Sequence, residues 1–153
     1  MMPFRFVAAL LLVLSAVAAI PQRAPLAVVV HPDNPVSDLS LQELRRLFLG
    51  QTILFQSRAR VALAEFEGER VRFYRVALGI GEDRVKRQWI SQVFAGSPAT
   101  PPETFANASE VRQFVAMRPG AIAFLPLAEV DSSVKLVTIE RRRVTDPSYP
   151  LRD

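Results

Sequence analysis

Five consecutive apolar residues, Leu26-Ala27-Val28-Val29-Val30, constrain this chain more than any other feature. A strand with one wet face alternates apolar and polar side chains. A strand that does not alternate is covered on both faces. Such a strand needs a layer above it and a layer below it, and strands and helices alternate early in the chain, so an α/β layered domain with its sheet flanked by helices is predicted. His31-Pro32-Asp33-Asn34-Pro35 ends the run with turn residues.

The rest of the chain supplies the layers. Ser40-Leu41-Gln42-Glu43 is a capping box, followed by Leu44, Leu47 and Phe48 at helical spacing, with Gly50 where that helix stops. Residues 61–66 read as a second strand. Gly68 precedes a helix whose stripe is Val71, Tyr74 and Leu78, with Phe73 and Ala77 at its shoulder. A further helix starts at Glu82, with Val85, Trp89 and Val93 on one line and Ile90 and Phe94 beside it. Residues 97–104 are Pro-rich and irregular. Asn107-Ala108-Ser109-Glu110 opens another helix, carried on by Val111, Phe114 and Val115. Residues 121–125 and 134–139 are the third and fourth strands. Trp89 and Tyr74 lie on apolar stripes and are expected in the core.

Composition narrows the chemistry. The chain has no Cys and one His, His31, among 153 residues. That removes disulfides, thiol nucleophiles, the common zinc sets and a His-dependent triad. No metal or cofactor is expected, and no enzyme. Of 19 cationic side chains all but Lys86 and Lys135 are Arg, and the net charge is +4. An anionic ligand or an acidic partner fits that balance. Arg141-Arg142-Arg143 lacks interleaved aromatics, so no nucleic-acid partner is expected there.

Residues 1–19 read as a secretory signal peptide. Arg5 is the basic start, Phe6 to Leu14 the apolar stretch, and Ala16-Val17-Ala18 a cleavage pattern. Cleavage and a periplasmic location are expected. Residues 20–140 then form the domain and 141–153 a polar tail.

The candidate site is Glu67-Gly68-Glu69-Arg70, with Arg72 beyond it, between a strand and a helix start. A helix start offers free N–H groups and a partial positive charge, and Arg can grip an oxyanion with two parallel hydrogen bonds. Glu65, Glu67 and Glu69 crowd the same place. The rival reading of Glu65 and Glu67 is an acid/base pair of a hydrolase.

Four segments in order carry a resemblance. They are Val30-His31-Pro32-Asp33-Asn34-Pro35-Val36; Leu39 to Leu44 with Leu47-Phe48-Leu49-Gly50; Arg72-Phe73-Tyr74 with Leu78-Gly79; and Pro119-Gly120-Ala121-Ile122-Ala123-Phe124. Over residues 26–138 the chain resembles phosphate-binding periplasmic proteins of ABC transporters, within the type 2 periplasmic-binding-protein superfamily, and more closely the short single-lobe members. The resemblance implies a single lobe of that fold and solute binding, of phosphate or another oxyanion, for transport or sensing. It places one wall of the phosphate cleft at Glu65 to Arg70, with Glu67 in the role of the acidic proton acceptor. The Ser-Gly-Thr residues of that wall are missing here, and only Gly68 of the turn remains. A second wall must come from a homodimer or a partner such as a transporter or sensor. The alternative is an interaction module that keeps the fold without a ligand.

Overall fold

A computed structural model describes residues 22–153; the signal peptide expected over residues 1–19 lies outside them. The order is β1 (Leu26–Val30), β2 (Asp38–Leu39), α1 (Leu41–Phe48), β3 (Ala62–Phe66), a 3₁₀ turn (Glu67–Glu69), α2 (Arg70–Phe73), a π turn (Tyr74–Leu78), α3 (Glu82–Phe94), β4 (Glu103–Phe105), α4 (Ala108–Met117), β5 (Ala121–Pro126) and β6 (Lys135–Ile139). The six strands form one mixed sheet in the order β2-β6-β1-β5-β3-β4. β1 runs antiparallel to β5 and β6, whereas β3 is parallel to both β4 and β5.

Every residue of β1 is buried. Its side chains reach two cores. Val28 and Val30 join Ile122, Phe124 and the layer made by α1, the helix through Phe73 and Leu78, and α3. Val29 joins Ala121, Ala123, Leu125 and α4 on the other face. The α/β architecture with a covered sheet is therefore as the apolar run demands. Phe124 stacks on Phe73 with ring centroids 3.9 Å apart, and Phe48 meets Phe73 edge-on at 4.8 Å.

Local rules place α1. Ser40 accepts from the N–H of Glu43, and Glu43 accepts from the N–H of Ser40, which closes the capping box. Gly50 follows in the left-handed region, and a Cβ there would stand 2.5 Å from the Trp89 ring. Gly120, in the Pro-Gly-Ala-Ile segment, is fixed by a different demand: a Cβ would lie 2.0 Å from the Arg60 carbonyl. That close approach lets Ala62 donate to the Gly120 carbonyl at 2.8 Å and seats β3 against β5.

Several expectations need correction. The stripes on two helices are rotated. Val71 is 60% exposed, while Phe73, Tyr74, Ala77 and Leu78 are buried. On α3 only Val85 and Trp89 are buried; Ile90, Val93 and Phe94 face outward. The Pro-rich stretch delivers β4, three residues that pair with β3. Residues 141–153 are not a solvated tail. Val144, Tyr149 and Leu151 are buried in the larger core, the Leu151 carbonyl accepts from the Leu26 N–H, and the Tyr149 hydroxyl donates to the Leu26 carbonyl at 2.8 Å. Single apolar residues spaced among polar ones carry no period, yet they dock the segment beside β1.

Candidate functional site

β3 and β5 are parallel, and ligands of open α/β sheets bind outside the carboxyl ends of such strands. β3 ends there at Phe66, and the chain turns straight into Glu67–Glu69 and α2. Glu67 and Gly68 are exposed, Glu69 and Arg70 half-buried, and Arg72 buried. Gly68 has no left-handed backbone; its nearest obstacle to a Cβ is the Phe66 ring at 3.2 Å. Its glycine character is thus not forced by the turn.

Of the expected residues, Arg72 and Glu69 meet each other, and carboxylates from elsewhere meet both arginines. Arg70 Nη2 donates to Glu82 Oε1 at 2.6 Å. Arg72 Nη1 donates to Glu69 Oε2 at 3.4 Å, and its Nε stands 3.0 Å from Asp153 Oδ2. That second contact is an ion pair without an aligned hydrogen bond: Arg72 Nε and Nη2 have no acceptor, although the side chain is only 4% exposed. Arg70 Nε is also buried without an acceptor. Asp153 is shared, since Arg75 Nη2 donates to its Oδ1 at 3.1 Å. Buried guanidinium donors without acceptors are costly, and proteins normally fill them.

Glu65 lies beneath this cluster and is 4% exposed. Strand alternation sends Leu63 to the larger core and Ala64 to the smaller, so Glu65 falls on the side of Leu63, under the helix that carries Tyr74. The Tyr74 hydroxyl donates to Glu65 Oε2, and Thr104 Oγ1 donates to Oε1 at 3.4 Å. Burial raises the Glu65 carboxyl above its ordinary range; the Tyr74 hydrogen bond and the Arg70 charge oppose this and lose. Burial, and then the Glu65 charge, push the Tyr74 phenol well above its ordinary value.

Glu65 and Glu67 do not share a face. β3 ends between them, so one is buried and the other exposed. His31 serves its own turn, where Nδ1 accepts from the Asp33 N–H at 3.0 Å. Trp89 is buried and donates to the Phe48 carbonyl at 3.1 Å. Among the described residues no group of three or more His, Asp or Glu side chains is arranged to hold a metal. Sequence proximity pointed to Arg70 and Arg72. It missed Glu65 as a buried group and missed Glu82, Thr104 and Asp153, whose approach depends on the fold.

No protein-family model matches the chain, and no curated protein matches it. Solved structures do. An ABC-type phosphate transport receptor from Vibrio cholerae aligns at 21% identity and a TM-score of 0.58, over 81% of this chain and 49% of the receptor. A putative phosphate ABC transporter substrate-binding protein with bound phosphate from Clostridium perfringens aligns at 19% identity and 0.66, over 81% and 48%. PstS from Borrelia burgdorferi aligns at 9% identity and 0.67, over 86% and 56%. The chain thus shares the fold of phosphate ABC transporter substrate-binding proteins and spans about half their length.

Proposed function

We propose that this chain is an exported, non-catalytic solute-binding lobe that takes phosphate or a similar oxyanion at the carboxyl end of β3. Arg72 anchors the anion, with Arg70 and the N–H groups of Gly68 and Glu69 beside it. Glu67 faces the exposed side, where the acidic proton acceptor of the receptors is expected. One observation carries this reading. Arg72 is buried and charged, its Nη2 has no acceptor, and its Nε meets Asp153 as an ion pair without an aligned hydrogen bond. Its place in a fold shared with phosphate receptors supports an oxyanion as the missing partner. The bound solute is passed to a membrane transporter or a sensor in the periplasm. The described residues supply one wall of a cleft, and a second wall from another copy or a partner would enclose the anion.

The crowd of carboxylates favours a second reading. Glu69, Glu82 and Asp153 already touch the arginines, and a phosphate must displace or outcompete them. If they cannot be displaced, the fold serves protein interaction alone.

Calorimetry with phosphate, and sulfate as control, separates the two on the chain from Ala19. The binding reading expects saturable heat that Arg72→Lys weakens and Arg75→Ala leaves nearly intact. Absence of heat at millimolar phosphate, for a chain whose thermal melt shows it folded, overturns the binding reading and leaves interaction.

A further inference from the structure

We infer that the C-terminal end of α3 seats this chain on a membrane surface rich in anionic phospholipid. The inference goes beyond oxyanion binding and uses none of the residues assigned to it.

The inner face of α3 is committed to the core. Val85 and Trp89 are buried, and Trp89 is held by its hydrogen bond to the Phe48 carbonyl and by the clearance that Gly50 leaves its ring. That anchor fixes what points outward. At about 3.6 residues per turn, Asp83, Arg87, Ile90 and Phe94 form the opposite ridge, with Lys86 and Val93 beside it. All six are exposed.

Along the ridge the chemistry changes in order. Asp83 stands in the first turn, where a carboxylate suits the helix dipole. Lys86 and Arg87 follow, with Arg84 to one side. Ile90, Val93 and Phe94 finish the helix, and Phe94 is 88% exposed. None of these cations forms an ion pair among the described residues, whereas Glu82 is paired with Arg70. Three free cations on α3 thus stand against one free carboxylate, Asp83. A rise of ~1.5 Å per residue puts Arg87 about 10 Å behind Phe94 and Asp83 about 16 Å behind it. An apolar tip that enters the acyl boundary by about 5–10 Å sets Lys86 and Arg87 among the headgroup phosphates and leaves Asp83 in water.

The end of the helix is built to leave water. Gly96 is left-handed, its N–H donates to the Val93 carbonyl at 3.1 Å, and the Ser97 N–H donates to the Gln92 carbonyl at 3.0 Å. These bonds close two carbonyls that a helix end otherwise leaves to water. The apolar contact that often accompanies such a turn is replaced by a polar one, from the Ser97 hydroxyl to Gln92 Oε1 at 3.3 Å. Phe94 is therefore not needed to close its own helix.

Size favours a membrane over a protein. A fully covered aromatic side chain buries about 150–250 Å². Adding Ile90 and Val93 leaves the tip well under the ~800 Å² that each side of a specific protein interface buries. A fluid surface moulds around a protruding tip, whereas a folded partner needs a matching hollow. No helix among the described residues is long and apolar enough to cross a membrane, and the contact inferred for α3 is peripheral. The oxyanion site meets α3 at Glu82, about 18 Å from Phe94 along the axis, so docking leaves it open.

The test is co-sedimentation of the chain from Ala19 with vesicles of phosphatidylcholine, alone or mixed with phosphatidylglycerol. Binding is expected only with phosphatidylglycerol present. Val93→Ser with Phe94→Ser should weaken it about tenfold or more. Lys86→Glu with Arg87→Glu should weaken it by a similar factor at low salt, and the difference should shrink as salt rises. The equal reversal elsewhere, Arg141→Glu with Arg143→Glu, should change it by less than about twofold. Every substituted position is exposed, and circular dichroism checks that each double is folded. Absence of binding to both vesicles overturns the inference. Equal weakening by the two charge reversals means general attraction to a basic protein and overturns it as well. So does binding that survives the loss of Val93 and Phe94. Competition by millimolar inorganic phosphate at matched ionic strength would put the lipid headgroup in the oxyanion site and overturn the tip. A dimer in sedimentation velocity that Val93→Ser with Phe94→Ser dissolves, without vesicle binding, assigns the ridge to a second copy instead.

Discussion

β1 and β3 are both five-residue strands inside the same sheet, and both are mostly buried, yet they do opposite things. β1 holds five apolar side chains and nothing that titrates. β3 has nearly the same burial but carries Glu65, with Tyr74 and Thr104 as partners and Arg70 and Arg72 close by in the chain. A buried carboxylate does nothing for stability that an apolar residue would not do better. The difference therefore marks the division of labour in the sheet. The centre around β1 and β5 supplies the cohesion, and the flank at β3 spends some of it to hold polar groups near a buried guanidinium.

The largest effect should come from the centre. Phe124 on β5 is fully buried and packs on Phe73 and Phe48. Phe124→Ala should lower the unfolding free energy by about 3–5 kcal/mol, read from urea denaturation. A loss below 1 kcal/mol, on the order of a surface change, would break the comparison, because the centre would not then be the source of cohesion.

The flank should announce itself through pH. Burial raises the Glu65 carboxyl in the folded state above its ordinary value of 4.5. The fold thus favours the protonated form. That stabilisation is fully present below the unfolded value and is lost as pH rises through the folded one. Glu65→Gln keeps the neutral shape at every pH. Its denaturation midpoint should exceed that of the wild type at high pH, and the gap should close toward about pH 4. Parallel curves for the two proteins would sink the idea that the flank stores a titratable group. Tyr74→Phe, which deletes the hydroxyl that donates to Glu65, should cost about 1 kcal/mol. Heat or urea denaturation reads it directly.

The sequence announces the centre better than the flank, for a physical reason. Burial on both faces writes an unbroken apolar run, so β1 and β5 are visible, and so is the α/β class. A capping box is local, so the start of α1 is visible at Ser40. β2 and β4 are two and three residues long, too short for any period to register. The start of α4 was legible at Asn107, although its side chain forms no cap hydrogen bond there. The outward turn of Val71, Ile90 and Phe94 depends on which layer each helix meets, which periodicity alone does not fix. At the site, Arg70 and Arg72 stood out because they are neighbours in the chain. What holds them did not stand out: Glu82 is 12 residues from Arg70, and Asp153 is 78 residues from Arg75. Only the docking of the C-terminal segment beside β1 brings Asp153 to the arginines.

That docking gives the smallest effect on stability and the sharpest one on binding. Asp153 is 39% exposed and touches Arg72 and Arg75. An ion pair this open is worth under about 1 kcal/mol, so Asp153→Asn should barely move the melting temperature. It should do more to an anion. Neutralising the carboxylate removes the charge that competes for Arg72 while leaving the donors where they are. Phosphate affinity should therefore rise in Asp153→Asn, and the gain should shrink as salt screens the exposed part of the contact. An unchanged affinity in a variant that still melts like the wild type would mean that Asp153 does not occupy the anion's place. Arg72 would then be a structural charge, and the buried polar flank of β3 would serve the fold alone.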